Sequence, residues 1–180
     1  ETVSNPSCDI ANFEEWSVIA KKHKIPLIVD SSGATPILCR PKDFGADIVI
    51  HSLTKYIGGH ANSMGGAVID LGTFDWAGSG RFPSFTSPNP SYHGLVFTEA
   101  FGAAAFGLKV RVESLRDAGG CLSPQNAFYI LQGLETLHLR IKAHSENALA
   151  LAEFLQAHPK VDWVHYPALR GNKNKARADK

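Results

Sequence analysis

The stretch DIVIHSLTKYIGGH (residues 47–60) contains the clearest fold signal in the chain. An apolar run, ADIVIH (residues 46–51), leads into polar residues at Ser52, Thr54 and Lys55, and two glycines follow. A short continuous apolar run is typical of a strand that is buried on both faces of a sheet. We therefore predict a buried strand that ends where the lysine and its two hydroxyl neighbours begin.

Two further apolar runs flank this stretch, IPLIVD (residues 25–30) and GGAVID (residues 65–70). The segment between IPLIVD and ADIVIH is long enough for a parallel crossover connection. Upstream, NFEEWSVIAKKHK (residues 12–24) predicts a helix with one apolar face, formed by Phe13, Trp16, Ile19 and Ala20. A helix followed by strands in this order predicts an α/β layered fold.

The rest of the chain changes twice in composition and in hydrophobic pattern. Residues 72–94 are rich in Gly, Ser and Pro but contain aromatic side chains, which favours a contact or active-site loop over disorder. Residues 95–117 predict one helical stretch, and Ser123 with Pro124 predicts the start of the next helix. A long amphipathic helix is expected after that, with an apolar stripe of Leu134, Leu137, Ile141, Leu151 and Leu155. VDWVHYP (residues 161–167) resembles a strand, and the charged end of the chain resembles a solvated tail.

Composition excludes several classes of function. The chain has 180 residues with 18 Lys and Arg against 17 Asp and Glu, so no basic excess points to nucleic acid. Its three cysteines form no CxxC pair, which argues against a zinc site or a disulfide framework and favours a reducing, cytoplasmic location. No apolar run approaches the roughly 20 residues of a membrane span. We expect no metal, nucleic-acid or membrane partner.

The polar residues at the strand ends are the candidates for chemistry. Parallel strands place their carboxyl ends at one edge of a sheet, so Asp30 and Lys55 are expected to face the same crevice, which the loop around Asn5 also reaches. A desolvated lysine is a nucleophile for carbonyl groups, and the hydroxyls of Ser52 and Thr54 suit a phosphate. These are the parts of a pyridoxal phosphate (PLP) site. From spacing alone, a surface lysine and a turn-forming aspartate stay open as the alternative.

Three ordered motifs, ETVSNP, IVD and GADIVIHSLTKYIGGH, resemble the signature of the PLP-dependent Cys/Met metabolism enzymes. The intervals fit as well, since 25 residues separate Asn5 from Asp30 and 25 separate Asp30 from Lys55. The resemblance extends to about Leu169. The loop at residues 72–94 and the stretch LSPQNAFYILQGLETLHLR are similar to the O-acetylhomoserine sulfhydrylase branch of that family.

The resemblance implies a role for each site residue. Lys55 would bind the cofactor covalently and later shuttle protons, and Asp30 would pair with the pyridine nitrogen. Asn5 would hydrogen-bond the phenolic oxygen of the ring, while Ser52 and Thr54 would donate to the phosphate. The chain departs from the family pattern after the ring aspartate, where Ser31-Ser32 replaces the usual Asn-Thr pair.

The resemblance also implies an aspartate-aminotransferase-like fold (PLP fold type I). Residues 1–133 would form the second half of the large domain, residues 134–158 a linker helix, and residues 159–180 the start of the small domain with a polar tail. Family members are roughly twice this length, so we expect a fragment with little or no turnover alone.

The implied reaction is γ-replacement on O-acetyl-L-homoserine by sulfide or a thiol, in a homotetramer when the protein is full length. The alternatives are the cystathionine γ-synthase, cystathionine γ-lyase or methionine γ-lyase branches, and, from a different class, a non-catalytic fragment that acts as an interaction module.

Overall fold

The protein contains one three-stranded sheet in the order β1–β2–β3, in a computed structural model that describes all 180 residues. Strand β1 spans Ile28–Asp30, β2 spans Ile48–Ser52 and β3 spans Gly66–Asp70. Strands β1 and β2 are parallel with Asp30 opposite Ile50, which confirms the predicted crossover. Strand β3 is antiparallel to β2, so only the first two apolar runs end at the same edge of the sheet.

The α-helices, in the order of the chain, are α1 Phe13–Lys22, α2 Thr35–Leu38, α3 Pro83–Thr86, α4 Phe97–Phe101, α5 Ala105–Lys109, α6 Arg116–Ala118, α7 Pro124–Glu135, α8 Leu137–Gln156 and α9 Lys175–Ala178. Helix α1 precedes the sheet, α2 lies between β1 and β2, and the other α-helices follow β3. No helix among them is both long and apolar enough to cross a membrane.

The central strand β2 is covered on both faces. Ile48 packs into a cluster with Phe97 and other residues that follow the sheet in sequence. Its neighbour Val49 points to the opposite face and packs with Phe13 of α1 and Val29 of β1. Because successive side chains of a strand point to opposite faces, burial on both faces explains why the run is continuously apolar.

The Gly/Ser/Pro-rich segment at residues 72–94 is folded around Trp76, which is 5% exposed. The Trp76 ring stacks on Phe85 at 4.3 Å and on Phe106 at 5.4 Å between ring centroids. Lys109 approaches the face of the Phe97 ring at 4.6 Å and pairs with Glu113. The aromatic residues of this loop therefore build part of the hydrophobic core.

Several predicted elements differ in the structure. The single helical stretch at residues 95–117 is wrong, because α4 and α5 are separated at Gly102, whose φ of +51° does not fit a right-handed helix. The helix start at Ser123 is confirmed, since its hydroxyl accepts a hydrogen bond from the Asn126 N–H at 3.2 Å. The predicted long helix is α8, and Thr136 separates it from α7.

Of the two predictions for the end of the chain, the strand is wrong and the solvated tail is confirmed for most of its residues. Residues 161–167 form no strand, because no neighbouring strand is present to pair with them. The charged end, residues 170–180, is mostly exposed, as expected for a solvated tail, but it is held at Asn174, which is 2% exposed and hydrogen-bonds Asp9. A reading of local charge does not reveal this contact with the amino-terminal loop.

The predicted apolar stripes are only partly buried. On α1 the buried members are Phe13 and Ala20, and on α8 they are Leu137 and Ile141. Of the remaining large side chains of the two stripes, Leu155 is partly buried, and the others are between 44% and 57% exposed, namely Trp16, Ile19, Leu134 and Leu151.

Candidate active site

A cavity of about 1140 Å³ lies at the carboxyl edge of β1 and β2. Its lining includes all five residues that the sequence predicts for the site, namely Asn5, Asp30, Ser52, Thr54 and Lys55. They come from three separate segments, which are the amino-terminal loop, the end of β1 and the end of β2. The parallel pairing of the two strands brings their ends together, as expected for ligand sites in open α/β sheets.

The carboxylate of Asp30 is held in place by the loop that follows it. The Ser32 N–H donates to Asp30 Oδ1 at 2.8 Å, and the Ser32 hydroxyl in turn accepts from the Ser52 N–H at 2.6 Å. Ser32 stands where the family pattern has threonine, and it retains the hydroxyl. The second carboxylate oxygen of Asp30 makes no hydrogen bond within the protein, so it can accept one from a ligand.

The two candidate phosphate donors differ in their surroundings. The Thr54 hydroxyl accepts from the Gly65 N–H at 3.0 Å and donates to the Gly65 carbonyl at 3.3 Å. It thereby closes the connection between β2 and β3. The Ser52 hydroxyl has no partner within the protein. Of the two hydroxyls, only that of Ser52 is free to donate to a ligand without breaking a contact seen here.

Lys55 lies within a π-helical turn, Leu53–Ile57, that follows β2 directly. The helical dihedral angles are interrupted at Lys55 itself, with φ −85° and ψ −129°. Its ammonium group forms no ion pair or hydrogen bond with the protein. The side chain is exposed, so these 180 residues do not supply the desolvation that the sequence leads us to expect.

His51 is buried on β2, and its Nδ1 atom has no hydrogen-bond partner. Burial lowers the pKa of His51, while the backbone of Ser31 and the charge of Asp30 oppose that shift. His51 does not line the cavity and belongs to no group of metal-ligating side chains, so we interpret it as a structural residue.

Sequence reasoning missed several cavity residues, among them Tyr56, Arg140 and His144. The rings of Tyr56 and His144 lie 5.5 Å apart, and Arg140 contacts the turn that carries Lys55. Arg140 and His144 belong to α8, far along the chain from the sheet. No local motif marks them, because their place at the site depends on how α8 packs.

Asp9 fastens the end of the chain to the amino-terminal loop beside the cavity. Its Oδ1 atom accepts from Asn174 Nδ2 at 2.8 Å and lies 3.1 Å from Lys173 Nζ. The hydrogen bond from Asn174, and next the one from Lys173, lower the pKa of Asp9 from 3.8 to about 2. Residues of the attached segment, Tyr166 and Arg177, line the cavity, so this contact helps to form one of its walls.

We expect the attachment through Asp9 to weaken in acid. The folded-state pKa of Asp9 lies below its ordinary value, so its stabilising contribution is complete above about pH 4 and is lost as the pH falls through about 2. An NMR titration of the Asp9 carboxyl carbon should give a midpoint near 2. In the control variant Asn174→Ala the midpoint should move toward 3.8. A midpoint at the ordinary value in the unmodified protein would contradict the contact.

The chemistry of the cavity fits pyridoxal phosphate. A primary amine, a free carboxylate oxygen, a free hydroxyl and an unpaired side-chain amide from Asn5 line one space large enough for a small-molecule ligand. An amine suits the aldehyde of the cofactor, a carboxylate its pyridine nitrogen, and a hydroxyl its phosphate. The Thr54 hydroxyl contributes less to this fit, because it is paired with the Gly65 backbone.

Comparison with known proteins agrees with this chemistry. All 180 residues match the family described as Cys/Met metabolism PLP-dependent enzyme. The chain is 52% identical over 188 aligned residues to an O-acetyl-L-homoserine sulfhydrylase of Leptospira meyeri, which covers 100% of this chain and 42% of that protein. It is 49% identical to a homocysteine synthase of Schizosaccharomyces pombe, covering 96% of this chain and 41% of that protein.

A solved structure shows the same fold. It is an O-acetylhomoserine (thiol)-lyase candidate from Campylobacter jejuni that carries a lysine modified with pyridoxyl monophosphate. The TM-score is 0.93 at 42% identity, over 99% of this chain and 44% of that one. The expected PLP fold type I architecture is confirmed, and the chain spans less than half the length of these relatives. It belongs to the family of PLP-dependent enzymes of Cys/Met metabolism.

Proposed function

We propose that the polypeptide carrying this chain catalyses γ-replacement on O-acetyl-L-homoserine, with sulfide or a thiol as the nucleophile. The products would be homocysteine, or methionine from methanethiol, together with acetate. One observation supports this most strongly, the convergence of Asn5, Asp30, Ser52 and Lys55 on one cavity. The names of the relatives given above support the choice of substrate.

When it is bound, the cofactor supplies an aldehyde that reacts with amines and a ring that withdraws electrons from the substrate. Asp30, with one oxygen fixed by the Ser32 N–H, would hold a proton between its other oxygen and the ring nitrogen. Ser52 would donate its hydroxyl proton toward the phosphate. Asn5, in the amino-terminal loop, would donate an amide N–H to the phenolic oxygen of the ring and so orient the ring.

Lys55 is the group that would move protons during the reaction. Its Nζ atom has no protein partner, so it is free to accept a proton from the substrate Cα and to return one later. Acid–base work of this kind contributes about 10²- to 10⁴-fold in rate. The exchange balances without any oxidant, because the C–O bond to acetate breaks and a C–S bond forms at the same carbon.

We propose a division of the chain that follows the same resemblance. Residues 1–133 would belong to the large domain, 134–158 to the linker helix, and 159–180 to the start of the small domain. Since relatives contain more than twice as many residues, we expect turnover to require residues outside this chain. A homotetramer in the cytoplasm is the assembly and location that we propose for the complete enzyme.

The proposed reaction can be tested by substrate competition. The protein at its natural length, saturated with pyridoxal phosphate, should convert O-acetyl-L-homoserine and sulfide to homocysteine and acetate. We expect cysteine to be a poorer nucleophile and methionine a poorer substrate, because the chain is similar to the sulfhydrylase branch. Chromatographic measurement of homocysteine, cystathionine and methanethiol in parallel reactions distinguishes reaction with sulfide, reaction with cysteine and cleavage of methionine.

Each other outcome would assign a different function. A preference for cysteine would place the protein in the cystathionine γ-synthase branch, and methanethiol release from methionine would place it with the methionine γ-lyases. Cleavage of cystathionine would indicate a γ-lyase. No turnover with any substrate, despite bound cofactor, would favour the non-catalytic alternative.

A further inference from the structure

One side chain of α8, Arg140, hydrogen-bonds the turn that carries Lys55, beside the apolar packing of Ile57 on α8. Arg140 donates from Nη1 to the Tyr56 carbonyl at 2.7 Å and from Nη2 to the Ile57 carbonyl at 3.3 Å. These two carbonyls belong to the residues directly after Lys55. The contacts cross 84 and 83 positions of the sequence, so they join the site to a distant part of the chain.

The same guanidinium group is held at its other edge. Nη2 also donates to the Gly133 carbonyl at 2.7 Å, near the end of α7, and Nε donates to the Thr136 hydroxyl at 3.0 Å. Arg140 thus links α7, α8 and the turn at Lys55. An arginine suits this place because its planar fork can serve several acceptors at once, whereas a lysine ammonium cannot match that geometry.

Arg140 also lines the cavity, so the alternative role for its guanidinium group is to bind an anionic ligand. A guanidinium has five N–H groups. The four hydrogen bonds above use four of them. A bidentate grip on a carboxylate or phosphate needs two, so the protein contacts leave too few. The geometry favours a structural link over ligand binding.

Gly59 makes room for this link. It has a φ of +73°, and a Cβ atom built there would lie 2.5 Å from Arg140 Nη1. Any larger residue at this position would displace the guanidinium. The path of the chain after Lys55 is therefore shaped to admit the arginine.

We propose that Arg140 is a positioning residue for Lys55, which it holds by fixing the two carbonyl groups that follow the lysine. This inference rests on the proposed role of Lys55. The orientation of the Lys55 amine then depends on α8, because Arg140 contacts the backbone of the turn and not the lysine side chain. A misplacement of a reacting group by about 1 Å can cost roughly 10²-fold in rate, so the expected effect is large.

The test compares Arg140→Ala and Arg140→Lys with the control Lys142→Ala. Lys142 is on the same helix and is exposed, with only a 4.0 Å ion pair to Glu146. The first readout is amide hydrogen exchange of the cofactor-free protein. Exchange of residues 56–59 should accelerate in both Arg140 variants, while the strands and the Lys142→Ala protein should be unchanged.

The second readout uses the protein at its natural length with pyridoxal phosphate. We expect kcat to fall by about 10- to 10²-fold in Arg140→Ala with KM changed less than about threefold. The pH dependence of the cofactor absorbance should shift as well, because the lysine amine would be less well placed. Guanidinium ion added to Arg140→Ala should recover part of the rate, whereas Lys142→Ala should behave as the unmodified protein.

Three results would overturn the proposal. Unchanged exchange at residues 56–59 in folded Arg140→Ala would show that the link does not hold the turn. A loss confined to KM would indicate ligand binding by the guanidinium. An absorbance pH profile identical to that of the unmodified protein would show that Lys55 is positioned without Arg140. If Arg140→Ala fails to fold, Arg140→Lys decides the same three points. Covalent binding of the cofactor at Lys55 is measured separately, so failure of the proposed function remains distinguishable.

Discussion

Replacing Lys55 with alanine is expected to abolish covalent trapping of pyridoxal phosphate and to lower turnover by about 10³-fold or more. The protein at its natural length would be mixed with the cofactor, reduced with borohydride and digested, and the modified peptide located by mass spectrometry. In the unmodified protein the adduct should lie on Lys55 alone. The reason is geometric, since its amine is unpaired and opens into the cavity that holds Asp30 and Ser52.

Two control variants separate covalent binding from charge and from chance modification. Lys55→Arg keeps the positive charge at the turn but provides no primary amine, so it should also lack the adduct. Replacing the exposed Lys24 with alanine should leave both trapping and turnover unchanged. Adducts spread over many lysines, or an adduct that persists in Lys55→Ala, would contradict the assignment of the site.

Replacing Gly133 with alanine is expected to lower the free energy of unfolding by about 3 kcal/mol or more. A Cβ atom at Gly133 would lie 1.9 Å from the carbonyl oxygen of Gly58 and 2.6 Å from its carbon. Both are backbone atoms of the segment that follows Lys55, so a side-chain rotation cannot relieve the overlap. Helix α7 would have to move away from the turn.

Two opposing effects determine whether Gly133→Ala lowers or raises the free energy of unfolding. Alanine in a helix is favoured over glycine by roughly 1 kcal/mol, which acts in the opposite direction. The overlap is severe enough to outweigh that gain. Urea unfolding of the variant measures the difference, and Gly120→Ala serves as the control because a Cβ there meets no atom within 4 Å. Equal stability of Gly133→Ala and the unmodified protein would mean that α7 does not approach the turn this closely.

The sequence by itself determined the strands and the residues at their ends. Burial of β2 on both faces requires a continuous apolar run, so this strand is visible in residues 46–51 without any structure. The run at residues 25–30 likewise marks β1, although Ile28 there is 51% exposed. The parallel pairing of β1 and β2 then places Asp30 and Lys55 at one edge, and both line the cavity. The same local logic locates the helix start at Ser123, because a capping side chain acts within three residues.

Only the tertiary structure decided how these elements are held. The link from Arg140 to Tyr56 spans 84 positions, and that from Asp9 to Asn174 spans 165. The predicted strand at residues 161–167 is absent, and the charged end of the chain is held to the amino-terminal loop through Asn174. Periodicity and spacing record the environment of neighbouring residues along one element. They carry no information on which distant element approaches it, because that depends on the packing of the whole chain.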